Sequence, residues 1–205
     1  MHFFLTLELD HIQDIDLQPI EDGQDLKSVQ NNQLYVEQGK QFLFQERLRQ
    51  GHMILLGDPV FPKEELNWES LITSSNAPDQ KRLFQQVRGH YYYFYLTKEA
   101  AYFGSALSGI YPVCYHTDGS KVWIASRASA IAEKIPSARP SRVNLLERLL
   151  FNFTLLNSTW WEGVHIVPAD RYVVIRKGKA KIEGDFEIAD YFGEPIYKTR
   201  RSLGN

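Results

Sequence analysis

The sequence predicts an α+β fold of two largely antiparallel sheets covered by helices. Three observations predict it. Eight to ten short apolar runs recur along the chain, most of them joined by turn-forming residues at hairpin spacing. Helical patterns are confined to three segments in the middle of the chain. The 205 residues are 43% hydrophobic and 13% aromatic, which suits one layered domain, or at most two small ones; at this length about 70% of the unfolded chain's surface is buried on folding.

The elements follow in order. In "MHFFLTLELD", Phe3, Leu5, Leu7 and Leu9 alternate with Phe4, Thr6 and Glu8, the period of a half-buried strand that docks the first residues into a sheet. Residues 8–26 carry Glu8, Asp10, Asp14, Asp16, Glu21, Asp22 and Asp25 with no Lys or Arg, and read as a solvated acidic loop whose spacing matches no calcium loop. "QLYVEQGKQFLFQ" reads as a hairpin turning at Gln38-Gly39-Lys40. "HMILLGDPVF" reads as a buried strand stopped by Gly57-Asp58-Pro59. "NAPDQKRLFQQVRG" predicts a helix with Pro78 and Asp79 in its first turn, Gly89 after its end, and Leu83, Phe84 and Val87 on its apolar face. "HYYYFYLT" and "AAYFGSA" are strands; "YYYFY" has no basic flanks and reads as a strand buried on both faces, not as a base-stacking platform.

"YPVCYH", "TDGS" and "KVWIAS" form a hairpin with Cys114 in mid-strand as a small core hydrophobe. "ASAIAEKIP" is a short helix ended by Pro136. "NLLERLLFNF" is a helix in which Asn144 and Glu147 have capping-box spacing, with Leu146, Leu149, Leu150 and Phe153 on one face. "RYVVIRKGKAKIEG" is a hairpin turning near Lys177-Gly178, and "KTRRSLGN" reads as a linker.

Several function classes are disfavoured. A net charge of −2 gives no electrostatic footprint for nucleic acid or an anionic membrane. No apolar run approaches the roughly 20 residues that span a bilayer, and no basic-then-apolar leader is evident. With Cys114 as the single cysteine no internal disulfide can form, and the expected location is the cytoplasm. The six histidines (His2, His11, His52, His90, His116, His165) lack zinc-site spacing. There is no phosphate-cradling Gly-rich loop, no Rossmann glycine pattern and no nucleophile elbow. Asp58 follows a strand beside a glycine, where either a turn role or a catalytic role is open.

Six stretches resemble, in order, segments of class II glutamine amidotransferase domains. "GDPVFPKEEL" at 57–66 is similar to N-G-E-I-Y-N-x-x-E-L, and "LFQQVRGHYYYFYL" at 83–96 to the L-x-G-x-F-A-F-A-L helix-to-strand junction. "SGIYPVCYH" at 108–116 is similar to F-G-I-K-P-L-Y-Y, and "VWIASRASAI" at 122–131 to F-A-S-E-I-K-A-L. "STWWEGVHIVPADRYVVIRKGK" at 158–179 is similar to T-L-F-E-G-I-x-x-L-P-P-G-H, and "ADYFG" at 189–193 to the R-Y-W ending. The variant it most resembles is the N-terminal domain of asparagine synthetase-like enzymes. The resemblance implies a four-layer αββα sandwich of N-terminal-nucleophile type over 1–193, with 194–205 leading toward a possible synthetase domain.

The resemblance also implies what is missing. Working members begin with a cysteine whose thiol attacks glutamine, with its own α-amine as base. Here Met1 is followed by the bulky His2, which keeps Met1 in place, and a thioether cannot form a thioester. Leu56 stands where the family has its oxyanion-hole Asn, before Gly57 and Asp58. One such donor is worth about 2.7–4 kcal/mol of transition-state stabilisation. Arg88, before Gly89, replaces the Asp that holds the substrate ammonium, and the H-R-R-L stretch that grips the carboxylate is absent. These residues would form a vestigial pocket with no catalytic group and no metal.

The implied role is an inactive domain docking to an ATP-dependent amide-forming synthetase, in cis or trans, of the β-lactam synthetase or lasso-peptide cyclase kind. ATP and Mg would enter only with that synthetase; this chain itself is expected to need no cofactor. Trp160 and Trp161 are candidate interface residues, with core packing as the alternative, and a homodimer is possible. Two rivals stay open: a stand-alone binding or scaffold protein with a vestigial pocket, and an unusual amidohydrolase using the pinned terminus or His2.

Overall fold

The computed structural model describes residues 3–8, 16–20, 33–37, 42–62, 66–73, 75–107, 110–136, 138–152, 158–177, 179–184 and 186. Twelve strands are present among them: β1 (Phe3–Glu8), β2 (Asp16–Ile20), β3 (Gln33–Glu37), β4 (Phe42–Arg47), β5 (Gly51–Val60), β6 (Arg88–Thr97), β7 (Ala100–Ser105), β8 (Val113–Thr117), β9 (Lys121–Ala125), β10 (His165–Val167), β11 (Tyr172–Arg176) and β12 (Lys179–Glu183). Helices α1 (Gln80–Gln86), α2 (Ala128–Ala132) and α3 (Arg142–Phe151) and a 3-10 turn at Trp68–Leu71 complete the set.

The strands form two six-stranded sheets, ordered β10-β8-β9-β1-β3-β2 and β12-β11-β7-β6-β5-β4. Every pairing is antiparallel except β2 with β3. The two sheets share one apolar core, in which Phe3, Leu5 and Leu7 of β1 meet Ile54 and Leu56 of β5 and Tyr92 and Phe94 of β6. α1 and the 3-10 turn cover the outer face of the second sheet, packing Leu83, Phe84 and Leu71 on Met53, Leu55 and Tyr93. α2 covers the outer face of the first sheet, where Ala130 and Ile131 pack on Phe4, Cys114 and Ala125. Helices on both outer faces explain why strand after strand is buried on both sides.

The aromatic run of β6 shows the consequence. Tyr92 and Phe94 face the shared core, while Tyr91, Tyr93 and Tyr95 face the helix side. The Tyr91 hydroxyl donates to the Val87 carbonyl (3.0 Å) and the Tyr93 hydroxyl accepts from the Gln80 amide (3.0 Å), so two of the buried hydroxyls keep partners. Gly104 lies opposite Tyr93 in the ladder. A Cβ there would sit 2.4 Å from the Tyr93 ring, so only glycine leaves room for that ring.

Several sequence expectations need correction. β1 is buried on both faces, Phe4 and Thr6 included, because α2 covers its second side. The acidic segment 8–26 contains β2, the last strand of its sheet among the described residues, where Pro19 is tolerated because its outer side has no described strand to bond. β3 and β4 are not a hairpin: β3 pairs with β1 and β2, β4 with β5, and the chain crosses between sheets. β5 does not stop at Gly57-Asp58-Pro59 but runs to Val60, held by β6. The turn residues sit where β4 has ended its pairing opposite Gly57.

Asp79 is the N-cap of α1, accepting the Arg82 backbone N–H at 3.0 Å. In α3 the N-cap is Ser141, whose hydroxyl accepts the Asn144 N–H at 3.3 Å; the expected Asn144 cap is displaced by three residues, and its amide instead donates to the Thr159 carbonyl. The hairpins at 113–125 and 172–183 and the helices at α1 and α2 lie where expected. No helix among the described residues is long and apolar enough to cross a membrane.

Candidate functional site

β1 enters the first sheet between β9 and β3. Its first described residue is fastened to the strand end of β9: the Phe3 N–H donates to Ser126 Oγ (3.1 Å), and the Ser126 N–H donates to the Phe3 carbonyl (3.2 Å). The Phe3 ring meets Tyr92 edge-on at 4.7 Å and Phe94 at 5.2 Å. Tyr92 stacks on Tyr111 at 5.3 Å, and Tyr111 lies 6.0 Å from the His90 ring. Tyr92 is paired with Leu56 in the ladder, His90 with Asp58, Gly89 with Pro59 and Arg88 with Val60. The sequence-predicted positions Leu56, Gly57, Asp58, Arg88 and Gly89 therefore do come together, at the end of the β5–β6 ladder beside the start of β1.

Their environments differ. Leu56 is 1% exposed and belongs to the core between the sheets. Asp58, Arg88 and Gly89 are exposed. Gly89 has φ 94°, and a Cβ on it would lie 2.1 Å from the Asp58 carbonyl oxygen, so glycine is required for the ladder to close. Met1 and His2 lie outside the described residues.

No activated nucleophile is found among the described groups of this corner. Ser126 Oγ is engaged with the backbone of β1. Burial pushes the Tyr92 hydroxyl well above the usual range; neighbouring Cys114 and Tyr111 act in the same direction and a hydrogen bond with Ser126 opposes them, so the phenol stays protonated at neutral pH. Burial pushes the Cys114 thiol up to about 12, far from the thiolate that a nucleophile needs. Among the described residues no group of three or more His, Cys, Asp or Glu side chains is placed to hold a metal ion. Among the described residues the corner presents the Asp58 carboxylate, the His90 imidazole and the Arg88 guanidinium at its rim, over an apolar floor.

Sequence reasoning passed over Ser126, Tyr92 and Tyr111. Ser126 was within reach, being the serine of the "IAS" run that resembles F-A-S. The tyrosines carry no local signal, since their role depends on stacking across elements.

Trp160 and Trp161 lie elsewhere, after α3. Trp161 is partly buried, packs against the Phe4–Cys114–Ile131 core, and its backbone bridges Pro140. Trp160 is half exposed, with the Arg148 guanidinium over its ring at 5.2 Å. It adjoins α3, which sits on the body by its polar side, through Asn144 and Arg148. Val143, Leu146, Leu149 and Leu150 point outward, 59–75% exposed. Of the predicted apolar face, Leu146, Leu149 and Leu150 face away from the core, and Phe153 lies outside the described residues.

No protein-family model matches the chain, and no curated protein matches it. Among solved structures the chain is distantly similar to glutamine phosphoribosylpyrophosphate amidotransferase from B. subtilis, complexed with ADP and GMP (16% identity, 70% of this chain, 31% of that chain, TM-score 0.36). It is similar to the same degree to the allosteric regulatory enzyme of purine biosynthesis (15% identity, 70% of this chain, 30% of that chain, TM-score 0.38). The chain spans less than a third of the length of either protein.

Proposed function

We propose that residues 1–193 form a glutamine amidotransferase-like domain of the N-terminal-nucleophile type, in the four-layer αββα arrangement, that no longer hydrolyses glutamine. Its work is to dock a synthetase domain that activates a carboxylate with ATP and Mg, in cis beyond 194–205 or in trans. The reading rests first on the six ordered sequence matches. The observation that carries its inactivity is Leu56: the position the resemblance gives to the oxyanion donor holds an apolar side chain built into the shared core. Arg88 at the rim adds a cation where a substrate ammonium would have to sit.

Docking is supported by α3. An amphipathic helix ordinarily turns its apolar stripe inward; this one turns it out, beside the half-exposed Trp160. Contiguous exposed apolar surface marks an interaction site, and the complementary occupant is an apolar face of the synthetase domain.

The test has two arms. Pure chain incubated with glutamine should release no glutamate or ammonia above the spontaneous rate; release that disappears in His2→Ala would overturn the inactivity. The double variant L149K/L150K should keep the chain's own stability within about 0.5 kcal/mol, because both side chains are exposed and cations suit the last turn of a helix. It should also lose co-purification with the synthetase domain. Retained co-purification would remove the docking role from α3.

A further inference from the structure

α3 rests on the body through one side only, and none of its ten residues is buried. At 3.6 residues per turn, Asn144, Glu147 and Arg148 fall together on the side toward the body. Arg142, Val143, Leu145, Leu146, Leu149 and Leu150 form the opposite, exposed arc.

This arc is close to a palindrome. Val143 stands three residues before Leu146, and Leu149 and Leu150 stand three and four after it. An isologous pair needs such a face, because a two-fold axis brings one surface against itself. With the axis beside Leu146 and the two helices antiparallel, Leu146 meets its own copy, Val143 meets Leu150, and Leu149 meets Leu145 and the stem of Arg142. Each apolar side chain of the arc then has an apolar counterpart.

Charge sets the direction. Arg142 lies in the first turn of α3, where no acidic residue offsets the positive end of the helix dipole. It has no ion-pair partner among the described residues. Antiparallel pairing carries each Arg142 to the negative, C-terminal end of the other α3. Parallel pairing would set Arg142 against its own copy and bring two positive helix ends together.

Area sets the strength. The exposed parts of Val143, Leu145, Leu146, Leu149 and Leu150 amount to roughly 400 Å² at about 30 Å² per CH₂. Trp160, half exposed beside α3, adds to it, so two copies would bury about 1,000 Å², the lower bound of specific interfaces. Pairing of that size should be reversible, with a Kd on the order of micromolar.

We infer that α3 pairs antiparallel with α3 of a second copy of this chain, about a two-fold axis at Leu146. The pairing does not rest on the amidotransferase-like reading. A synthetase domain docking on α3 would have to displace the second copy, so the two associations compete for one face.

Sedimentation equilibrium of the pure chain from roughly 1 to 200 μM brackets such a constant. The average mass should climb from monomer toward dimer. Leu146→Lys sets two ammonium groups against each other at the axis and should raise the Kd at least about tenfold. Ile182→Lys, at an exposed apolar position on β12, should leave it unchanged. Under mild oxidation Leu146→Cys should cross-link to itself, and Val143→Cys should cross-link to Leu150→Cys when the two are mixed. Val143→Cys alone should not: about 9 Å of helix rise separates its two copies, beyond the roughly 7 Å that a disulfide spans. Cys114 is buried and does not compete. A chain that stays monomeric throughout overturns the pairing and leaves synthetase docking to its own co-purification test. An equal loss in Ile182→Lys, or no linkage of Leu146→Cys, also overturns it. Linkage of Val143→Cys to itself as fast as Leu146→Cys overturns the antiparallel axis in favour of a parallel one.

Discussion

Replacing Leu56 by Asn introduces the residue that the amidotransferase resemblance would place there, and the structure predicts that the fold will resist it. Leu56 is 1% exposed, paired with Tyr92 and surrounded by Phe3, Ile54 and Phe94 in the core between the sheets. Truncating a buried Leu to Ala costs about 2–5 kcal/mol through lost transfer energy and cavity. Asn fills more of the space than Ala, which lowers the cavity part. It also brings an amide with no polar partner, at about 1–3 kcal/mol. The sum is about 3–5 kcal/mol, a large share of a typical stability of 5–15 kcal/mol. A midpoint drop of roughly 10–15 °C would follow for a domain of this size. The sign of one difference decides the matter: Asn should be at least as destabilising as Ala, whereas Leu56→Met, which conserves volume, should cost less than about 1.5 kcal/mol. Urea unfolding followed by circular dichroism and tryptophan fluorescence reads all three. If Asn proves milder than Ala, donors or water reach this position, the site is a polar pocket, and the reasoning from packing is wrong.

Other outcomes follow from single contacts. Gly104→Ala drives a Cβ to 2.4 Å from Cζ and Oη of the fully buried Tyr93 and should cost about 1–3 kcal/mol or more; Gly119→Ala, with φ 94° and nothing within 4 Å, bears only the backbone strain and should cost about 1 kcal/mol. Cys114 should be silent to an aromatic disulfide reagent at pH 8 in the native chain and react on unfolding. Because burial raises its thiol from 9.0 to about 12, the unfolded chain surrenders that proton first. The thiol's contribution is therefore intact below pH 9 and lost as pH climbs toward 12, and Cys114→Ala should flatten the alkaline slope of the unfolding midpoint. Ser141→Ala removes the α3 N-cap and should cost about 1 kcal/mol, while Ser141→Asp should retain the cap.

What was legible in the sequence depended on how local the determining physics is. The hairpins 113–125 and 172–183 were readable because turn residues and both strands lie in one short window, and "YYYFY" because only a doubly buried strand tolerates such a run. The segment 33–45 misled for the same reason: alternating strands around Gly39 satisfy every local hairpin criterion, yet β3 and β4 belong to different sheets. Nothing within thirteen residues encodes which sheet a strand joins. Gly57-Asp58-Pro59 misled because these residues end strands that lack a continuing partner, and β6 continues here. α3 shows the limit most plainly. Its periodicity placed Leu146, Leu149 and Leu150 on one face, and periodicity gives the existence of an apolar face and not what that face meets.

The corner at β1 separates two requirements that a sequence presents together. Holding the start of β1 in place needs backbone pairing with β9 and β3, the Ser126 latch on Phe3, and a glycine at 89 so that β5 and β6 can close. All of these are present, and they are what motif-level similarity detects, because glycines and short polar latches recur wherever the same backbone path recurs. Acyl chemistry needs something else: a low-pKa nucleophile and donors aimed at a developing charge. At this corner the described candidates are a thiol and a phenol kept protonated by burial, and a leucine in the core. The first set can be complete while the second is empty, because folding selects for the first alone. Side-chain environments must therefore be read separately from motif-level similarity before any reaction is inferred.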